Sequence, residues 1–179
     1  MIEKGYDMMN IKLPLAATAL LLATPALAET HGMEGFSAEV QSNEDITGSV
    51  TVTEETSGVF VVTVDLEGVP EGVHGIHLHE TGDCSADDYS SAGGHLADGR
   101  EHGVKVEGGP HPGDLPNATV GADGVLSVTH FNTFLTTEMM ADEDGTGFIV
   151  HSDPDDYESQ PSGDAGSRIA CAVLVEPQS

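Results

Sequence analysis

The residues whose type and spacing best suit metal-ion chemistry are histidines in the middle of the chain. His77 and His79 lie two apart in Gly75–Glu80, a run that reads as a β-strand, so both imidazoles leave the same face. Further candidates lie in or beside Gly-, Pro- and Asp-rich segments: His95, His102, His111, Asp114 and His151. Imidazole nitrogens and carboxylate oxygens are common ligands of transition metals. These six histidines and one aspartate are enough for two metal sites that share one residue.

Alternating hydrophobic residues predict the elements that must position these ligands. Phe60, Val62, Val64 and Leu66 alternate with outward-facing positions, which is the pattern of a half-buried strand. The other predicted strands are one marked by Val50 and Val52, then Gly35–Ser42, Gly75–Glu80, Ala118–Val120, Val125–Phe131, Gly147–His151 and Ile169–Val175.

Turn residues separate these strands and set the expected fold class. Thr56-Ser57-Gly58 predicts the turn before Phe60, and Ala122-Asp123-Gly124 predicts a hairpin between the strands on either side of it. Phe134–Met140 fits no clear strand pattern and leaves one helical turn open. About eight short strands without a long helical stripe predict an all-β domain, an antiparallel sandwich or flattened barrel.

Two irregular segments are too long to be simple connections. Thr81–Asn117 and Ser152–Ser167 lack strand or helix periodicity. Loops of this length in a compact domain are usually functional or disordered. Because most of the candidate ligands lie in or next to them, we expect them to be metal-site loops.

The charge of the chain limits its partners. It has 31 acidic and 5 basic residues, for a formal net charge of −26. Such a surface argues against nucleic acid and against anionic membranes as partners, and it is typical of proteins that work in high salt. The three basic residues beyond the first 28 positions all lie in or directly beside the two metal-loop segments: Arg100, Lys105 and Arg168.

The first 28 residues have the pattern of a signal peptide. A short apolar run, Leu13–Ala23, follows Lys12 and precedes the A-x-A cleavage pattern of Ala26-Leu27-Ala28. A membrane anchor is disfavoured because spanning a bilayer takes ~20 apolar residues. We therefore expect residues 1–28 to be cleaved and residues 29–179 to form one exported domain, in the periplasm or secreted.

Five sequence blocks resemble, in order, those of the copper/zinc superoxide dismutases. They are Gly75–Glu80, Gly82-Asp83-Cys84, Ser91–His95, His111–Asn117 and Gly166–Cys171. The resemblance extends from Phe36 to Val175. It implies the Greek-key form of the antiparallel sandwich, with copper and zinc as cofactors.

The resemblance also implies a role for each candidate ligand. Copper would be bound by His77, His79, His95 and His151. Zinc would be bound by His95, His102, His111 and Asp114, so that His95 bridges the two metals. His74 resembles a family residue that bonds to backbone, and His130 lies outside every motif, so neither is counted as a ligand.

Four further residues take roles from the same comparison. Asp155 corresponds to a carboxylate that orients copper ligand His77 and zinc ligand His102 through hydrogen bonds. Arg168 corresponds to the arginine beside copper, where a guanidinium holds a small anion. Cys84 and Cys171 are expected to form a disulfide, which suits an oxidising compartment.

The implied activity is dismutation of superoxide to dioxygen and hydrogen peroxide by copper redox cycling, with Arg168 and His95 as the catalytic residues. The alternative is a non-enzymatic periplasmic copper/zinc-binding protein of the same fold. A zinc hydrolase is disfavoured because the four zinc-type ligands leave no open position for water. The sequence leaves the oligomeric state open, with a homodimer as one candidate.

A second, weaker copper site is conceivable at the mature N-terminus. Cleavage after Ala28 would leave Glu29-Thr30-His31, whose amine, amides and imidazole form a square-planar nitrogen set suited to Cu(II). Chance placement of this histidine is the stronger interpretation.

Overall fold

The computed structural model describes Met1 and residues 35–175. The rest of the predicted signal peptide, residues 2–28, and the Glu29-Thr30-His31 segment lie outside the described residues. Residues 35–175 belong to one compact unit. In this part of the chain no helix has both the length and the apolar character needed to cross a membrane.

The described residues form nine strands, one short α-helix and one 3₁₀ turn at Ser90–Ala92. In chain order these are β1 (Gly35–Glu39), β2 (Thr47–Glu54), β3 (Phe60–Glu67), β4 (Gly72–His74), β5 (Ile76–His79), β6 (Ala118–Val120), β7 (Leu126–Asn132), α1 (Thr137–Met140), β8 (Thr146–His151) and β9 (Arg168–Leu174). All strand pairs are antiparallel, in sheets of order β1-β2-β3-β7, β4-β6 and β5-β8-β9. The predicted all-β, antiparallel fold class is confirmed, and α1 supplies the helical turn left open within Phe134–Met140.

Strand β3 shows why the alternating pattern forms a half-buried sheet. Phe60, Val62, Val64 and Leu66 are buried, while the residues between them face outward or are partly covered. Successive side chains of a strand point to opposite faces, so one face of β3 joins the hydrophobic core. The predicted turn before β3 is present, closed by the Gly58 amide donating to the Glu55 carbonyl.

The hairpin predicted around Ala122-Asp123-Gly124 is wrong. A turn does occur there, with the Gly124 amide donating to the Gly121 carbonyl at 3.0 Å. However, β6 pairs with β4, and β7 pairs with β3, so the turn carries the chain from one sheet to another. Turn residues specify a local reversal of the chain, but pairing partners depend on which faces bury together.

The β5-β8-β9 sheet brings the predicted site residues to neighbouring positions. His77 and His79 lie on β5, His151 ends β8, and Arg168 begins β9 opposite His151. A register shift between Val150 and His151 marks an irregularity at this end of the sheet. The loop between β5 and β6 returns to β5 through bridges from His77 to Asp114 and from His79 to His95.

The predicted disulfide is confirmed. Cys84 and Cys171 are bonded, with Cα atoms 5.9 Å apart and a sequence separation of 87 residues. In the chain-entropy model, closing a loop of this length stabilises the fold by about 4–5 kcal/mol. The bond also attaches the first part of the loop after β5 to β9.

Candidate dinuclear metal centre

The structure gathers the seven candidate ligands into two groups with one member in common. One group is His77, His79, His95 and His151, and the other is His95, His102, His111 and Asp114. In each group the potential ligand atoms all lie within 4.8 Å of one another. All six histidines are buried, so their placement is fixed by packing.

In the four-histidine group, one nitrogen of each ring has no hydrogen-bond partner. These atoms are His77 Nδ1, His79 Nε2, His95 Nε2 and His151 Nε2. Among the described residues, the remaining buried side-chain polar atom without a partner is His130 Nε2 on β7. Since buried polar groups are normally satisfied, four unpartnered nitrogens converging on one point fit a metal ion as the missing partner.

Hydrogen bonds at the opposite ring nitrogens fix which atom of each histidine faces the site. His77 Nε2 donates to Asp155 Oδ2 at 2.8 Å, and His79 Nδ1 donates to the Gly93 carbonyl at 3.1 Å. His151 Nδ1 lies 3.5 Å from the Gly166 carbonyl. A neutral imidazole that donates at one nitrogen presents a lone pair at the other. The three rings are therefore set to bind a metal at the unpartnered atom.

In the second group, three ring nitrogens converge on one carboxylate oxygen. Asp114 Oδ1 lies 3.0 Å from His95 Nδ1, 3.0 Å from His102 Nδ1 and 3.1 Å from His111 Nδ1. Zinc bonds of ~2.0 Å in a tetrahedron would separate the ligand atoms by ~3.3 Å. The spacing thus matches the edges of a tetrahedral site with little rearrangement.

The other nitrogens of these rings also favour a cation at the second group. His102 Nε2 faces Asp155 Oδ1 at 3.0 Å, and His111 Nε2 faces the Arg100 carbonyl at 3.1 Å. Without a cation, both rings would have to be doubly protonated to donate at both nitrogens. A bound zinc ion would instead accept the Nδ1 lone pairs and leave each Nε2–H to its acceptor.

His95 is the residue that the two groups share. Its Nδ1 belongs to the three-histidine, one-aspartate group and its Nε2 to the four-histidine group. The ring stacks on His77, with centroids 3.9 Å apart. Only an imidazolate has a lone pair on both nitrogens, so this ring can join two cations if both are bound.

Burial keeps the four-histidine group neutral. Desolvation lowers the pKa of His77, and it lowers the pKa of His79 to about 2, of His95 to about 4 and of His151 to about 3. For His95 the hydrogen bond with Asp114 opposes this shift without reversing it. Neutral rings are the form that binds metals.

The pKa values of Asp114, Asp155 and His102 are shifted so that the charged form of each side chain is favoured. Burial alone would lower the pKa of His102, but hydrogen bonds with Asp114 and Asp155 raise it to about 9. Burial alone would raise the pKa values of Asp114 and Asp155, but histidine donors hold both well below the usual range. In the metal-free protein both carboxylates are therefore charged, and the His102 ring between them carries a compensating positive charge.

Asp155 connects the two groups through hydrogen bonds to one histidine of each. Its Oδ2 accepts from His77 and its Oδ1 from His102, and the carboxylate is buried. Asn117 clamps the backbone of Asp155 with two hydrogen bonds of 2.9 Å. The structure thus places Asp155 where it orients one ligand of each group.

Arg168 lies beside the four-histidine group in a fixed orientation. Its guanidinium donates to the carbonyl oxygens of Tyr89 and Gly93, both at 2.6 Å. The Gly93 carbonyl also accepts from His79, so one backbone oxygen joins the arginine to a candidate ligand. Asp88 lies close enough to interact electrostatically with this arginine.

Several residues that support the site were not identified from the sequence. Tyr89 and Gly93 act through backbone carbonyls, which leave no side-chain signal. Gln160 clamps His102, accepting from its amide and donating to its carbonyl, both at 2.9 Å. A glutamine in an irregular segment has no pattern that predicts this contact. Gly163 packs so closely on Asp155 and His102 that its lack of a side chain is required.

Comparisons with known proteins agree with the geometry. The profile of the family described as copper/zinc superoxide dismutase (SODC) matches residues 46–174. "Superoxide dismutase [Cu-Zn]" of Caulobacter vibrioides is 38% identical over 135 residues, covering 71% of this chain and 77% of its own. "Superoxide dismutase [Cu-Zn] 2" of Aquifex aeolicus is 33% identical over 165 residues, covering 88% of this chain and 95% of its own.

A solved structure shows the same likeness in three dimensions. The crystal structure of a SOD-like protein from Bacillus subtilis has a TM-score of 0.72 and 34% identity, covering 79% of this chain and 99% of that one. With two buried ligand groups that share His95, the chain belongs to the copper/zinc superoxide dismutase family of oxidoreductases, whose cofactors are copper and zinc.

Proposed function

We propose that this protein is an exported enzyme that converts superoxide to dioxygen and hydrogen peroxide. The observation that carries the proposal is the convergence of four unpartnered imidazole nitrogens beside a fixed guanidinium. The nitrogens provide a redox-metal site, and the guanidinium provides a binding position for a small anion.

The donor atoms of the two groups support one assignment of the metals. Four imidazoles suit copper, whereas three imidazoles and one carboxylate oxygen suit tetrahedral zinc. We assign copper to His77, His79, His95 and His151, and zinc to His95, His102, His111 and Asp114. When bound, copper would supply one-electron oxidation and reduction, and zinc would hold the shared imidazole in place.

Two side chains perform the remaining tasks. Arg168 binds and orients superoxide through its charge, in an orientation fixed by two backbone carbonyls. His95 Nε2 takes up a proton and releases it to the product. In balance, two superoxide anions and two protons give one dioxygen and one hydrogen peroxide, with one anion oxidised and the other reduced.

The second candidate is a copper/zinc carrier without catalytic activity. It is favoured by the Bacillus subtilis relative, which is named only as SOD-like. Two features favour the enzyme instead, because a carrier needs neither an anion position at Arg168 nor a histidine shared between the metals. We therefore rank the dismutase first.

A turnover measurement separates the two candidates. Purified processed protein, loaded with copper and zinc, is mixed with superoxide, and the superoxide consumed and the peroxide formed are counted per chain. The dismutase predicts many turnovers and one peroxide for every two superoxide anions, with the metal-free protein as control. Consumption limited to about one superoxide per bound copper would favour the carrier.

We also propose that the enzyme works in the periplasm or outside the cell, after removal of residues 1–28. Mass analysis of the exported protein tests this, because cleavage after Ala28 predicts Glu29 as the first residue. A charge of −26 makes nucleic acid and anionic membranes unfavourable partners. Sedimentation velocity would distinguish a monomer from the candidate homodimer.

A further inference from the structure

Arg100 contacts the segment around candidate zinc ligand His111 at three points. Its carbonyl accepts from His111 Nε2 at 3.1 Å. Its guanidinium donates through Nε to the Pro110 carbonyl and through Nη2 to the Gly109 carbonyl, the latter at 3.0 Å. Arg100 thus binds both the imidazole of His111 and the two residues that precede it.

The guanidinium is also tied to the sheet. Its central carbon lies 4.6 Å from the centroid of the Phe134 ring, a cation–π distance. Phe134 follows β7 and is held there by its amide donating to Asn132 Oδ1 at 2.9 Å. Asn132 also donates to the Pro112 carbonyl at 2.8 Å. The end of β7 therefore holds the chain on both sides of His111.

From these contacts we propose that Arg100 is a positioning residue for zinc: it holds His111 in its ligand orientation and does not serve to attract substrate. The proposal rests on the zinc assignment made above. Two carbonyl oxygens and an aromatic ring hold the guanidinium against the His111 segment, so its hydrogen-bond donors are directed at that segment and not at the four-histidine group.

Arginine is specifically suited to this position. The planar guanidinium offers donors in a fixed fork, so it can bind two successive carbonyls while its face rests on a ring. The ammonium of lysine is a single charged point on a flexible stem and cannot make both contacts with the same geometry. Substitution by lysine therefore keeps the charge but removes the fork.

The packing of this segment makes small displacements costly. A side chain at Gly109 would place its Cβ 2.2 Å from the Gly103 carbonyl oxygen, so the loop folds directly onto itself. Gly103 in turn follows His102 and donates to Asp114 Oδ2 at 2.8 Å. Releasing Arg100 would thus loosen His111 and the neighbouring ligands together.

The test uses Arg100→Lys, Arg100→Ala and Phe134→Leu, with Lys105→Ala as the matched control. Lys105 lies in the same loop and its Nζ donates to the Asp156 carbonyl at 2.7 Å on the exposed surface. Zinc affinity is measured by chelator competition, and Co(II) placed in the zinc site reports its geometry through visible absorption. Neither readout depends on superoxide turnover.

We expect zinc affinity to fall about tenfold or more in Arg100→Ala, in keeping with the loss of charge-assisted hydrogen bonds. Arg100→Lys should show most of that loss and an altered Co(II) spectrum, Phe134→Leu a smaller loss, and Lys105→Ala none. If Arg100→Ala fails to fold, the zinc affinities and Co(II) spectra of Arg100→Lys and Phe134→Leu test the proposal instead.

Native zinc affinity and a native Co(II) spectrum in Arg100→Lys would overturn the proposal, since charge alone would then suffice. Unchanged zinc binding in Arg100→Ala, together with an altered salt dependence of superoxide turnover, would overturn it in favour of substrate attraction. A wild-type protein without turnover would instead count against the proposed dismutase activity, and it would leave the zinc measurements valid.

Discussion

At the scale of single residues, His95 has the most constrained role, because its two nitrogens face different ligand groups. We predict that His95→Ala abolishes superoxide turnover and weakens the binding of both copper and zinc. His130→Ala is the matched control, since this partly buried histidine on β7 belongs to neither group and should leave both metals bound. Metal content and superoxide decay are measured on the same samples. One equivalent of each metal with a near-native rate in His95→Ala would contradict the shared-ligand assignment.

Arg168 should affect the rate without affecting the metals. Its hydrogen bonds go to Tyr89 and Gly93, and it is not a ligand of either group. We predict that Arg168→Ala keeps both metals and loses about tenfold or more in kcat/KM, as expected for a lost charge-assisted contact of ~1.5–3 kcal/mol. Arg168→Lys should recover part of the rate. Metal loss in Arg168→Ala, or an unchanged rate, would show that the guanidinium is structural.

The buried histidines predict how the metal-free protein responds to pH. Burial lowers the pKa of His95 to about 4 and of His151 to about 3, so below the ordinary value of 6.5 the unfolded chain binds protons that the folded chain does not. The free energy of unfolding should therefore fall as the pH drops from about 6.5 toward 4, by roughly a few kcal/mol, because each tenfold difference in proton affinity corresponds to about 1.36 kcal/mol. His102, with its pKa raised to about 9, takes up its extra proton in the folded state between about pH 9 and pH 6.5, so its stabilising effect is already complete before the pH falls below 6.5.

Urea unfolding of the metal-free domain at pH 7.5 and at pH 5, values about one pH unit or more on either side of the ordinary histidine pKa, measures this effect. An equal or greater free energy of unfolding at the lower pH would mean that these rings are not held neutral by burial.

At the scale of elements, the loop after β8 stays close to the metal groups because Gly163 has no side chain. A Cβ on Gly163 would lie 2.0 Å from Asp155 Oδ1 and 2.6 Å from His102 Nε2, at a φ of 71°. Gly99→Ala is the matched control, because Gly99 has a φ of 69° and no heavy atom within 4 Å of the added carbon. Both variants incur the left-handed backbone cost of roughly 1–2 kcal/mol.

We predict that Gly163→Ala alone also lowers zinc affinity, because the carboxylate and the imidazole must move apart. Chelator competition and thermal melting of the two variants check this. Equal zinc affinity in both would mean that the contact between Gly163 and the Asp155–His102 pair is not needed to hold the site.

Strand β3 was predictable from the sequence because one of its faces is buried, so that Phe60–Leu66 alternates clearly. The strands β5, β8 and β9 were also identified, although they are buried along almost their whole length. The three-residue strand β4 (Gly72–His74) was missed because it is too short to show an alternation of hydrophobic and polar residues. The pairing of β6 was wrong because a turn sequence does not encode the partner strand. In the candidate site, the histidines and Asp114 could be predicted because their side chains are typical metal ligands. The contacts made by the Gly93 carbonyl and by Gln160 could not be predicted, because no sequence pattern indicates them.

At the scale of the whole molecule, net charge and local charge oppose each other. Superoxide is an anion, and the chain has a formal net charge of −26. Of the basic side chains in the described residues, Arg100 and Lys105 donate to backbone carbonyls within the two long irregular loops, and Arg168 lies beside the four-histidine group. The net charge of the molecule therefore repels superoxide at long range, and of these three basic side chains only Arg168 attracts it close to the four-histidine group.

We predict that kcat/KM holds steady or rises with NaCl, and that the melting temperature also rises. The Debye length falls from ~30 Å at 0.01 M to ~3 Å at 1 M, so salt screens the distant carboxylates before it screens Arg168. Enzymes that attract a charged substrate over long distances slow down instead. A steep fall in kcat/KM between about 0.01 M and about 0.5 M NaCl would show that local attraction dominates at every distance.

The central claim is that superoxide turnover occurs at one copper site per chain, built from His77, His79, His95 and His151. It is tested most directly by adding copper stepwise to the zinc-loaded, copper-free domain and following superoxide decay at each step. The account predicts a rate that rises linearly to one copper per chain and then stays constant. A site that fills with copper while the superoxide decay rate stays at that of the metal-free protein would contradict it.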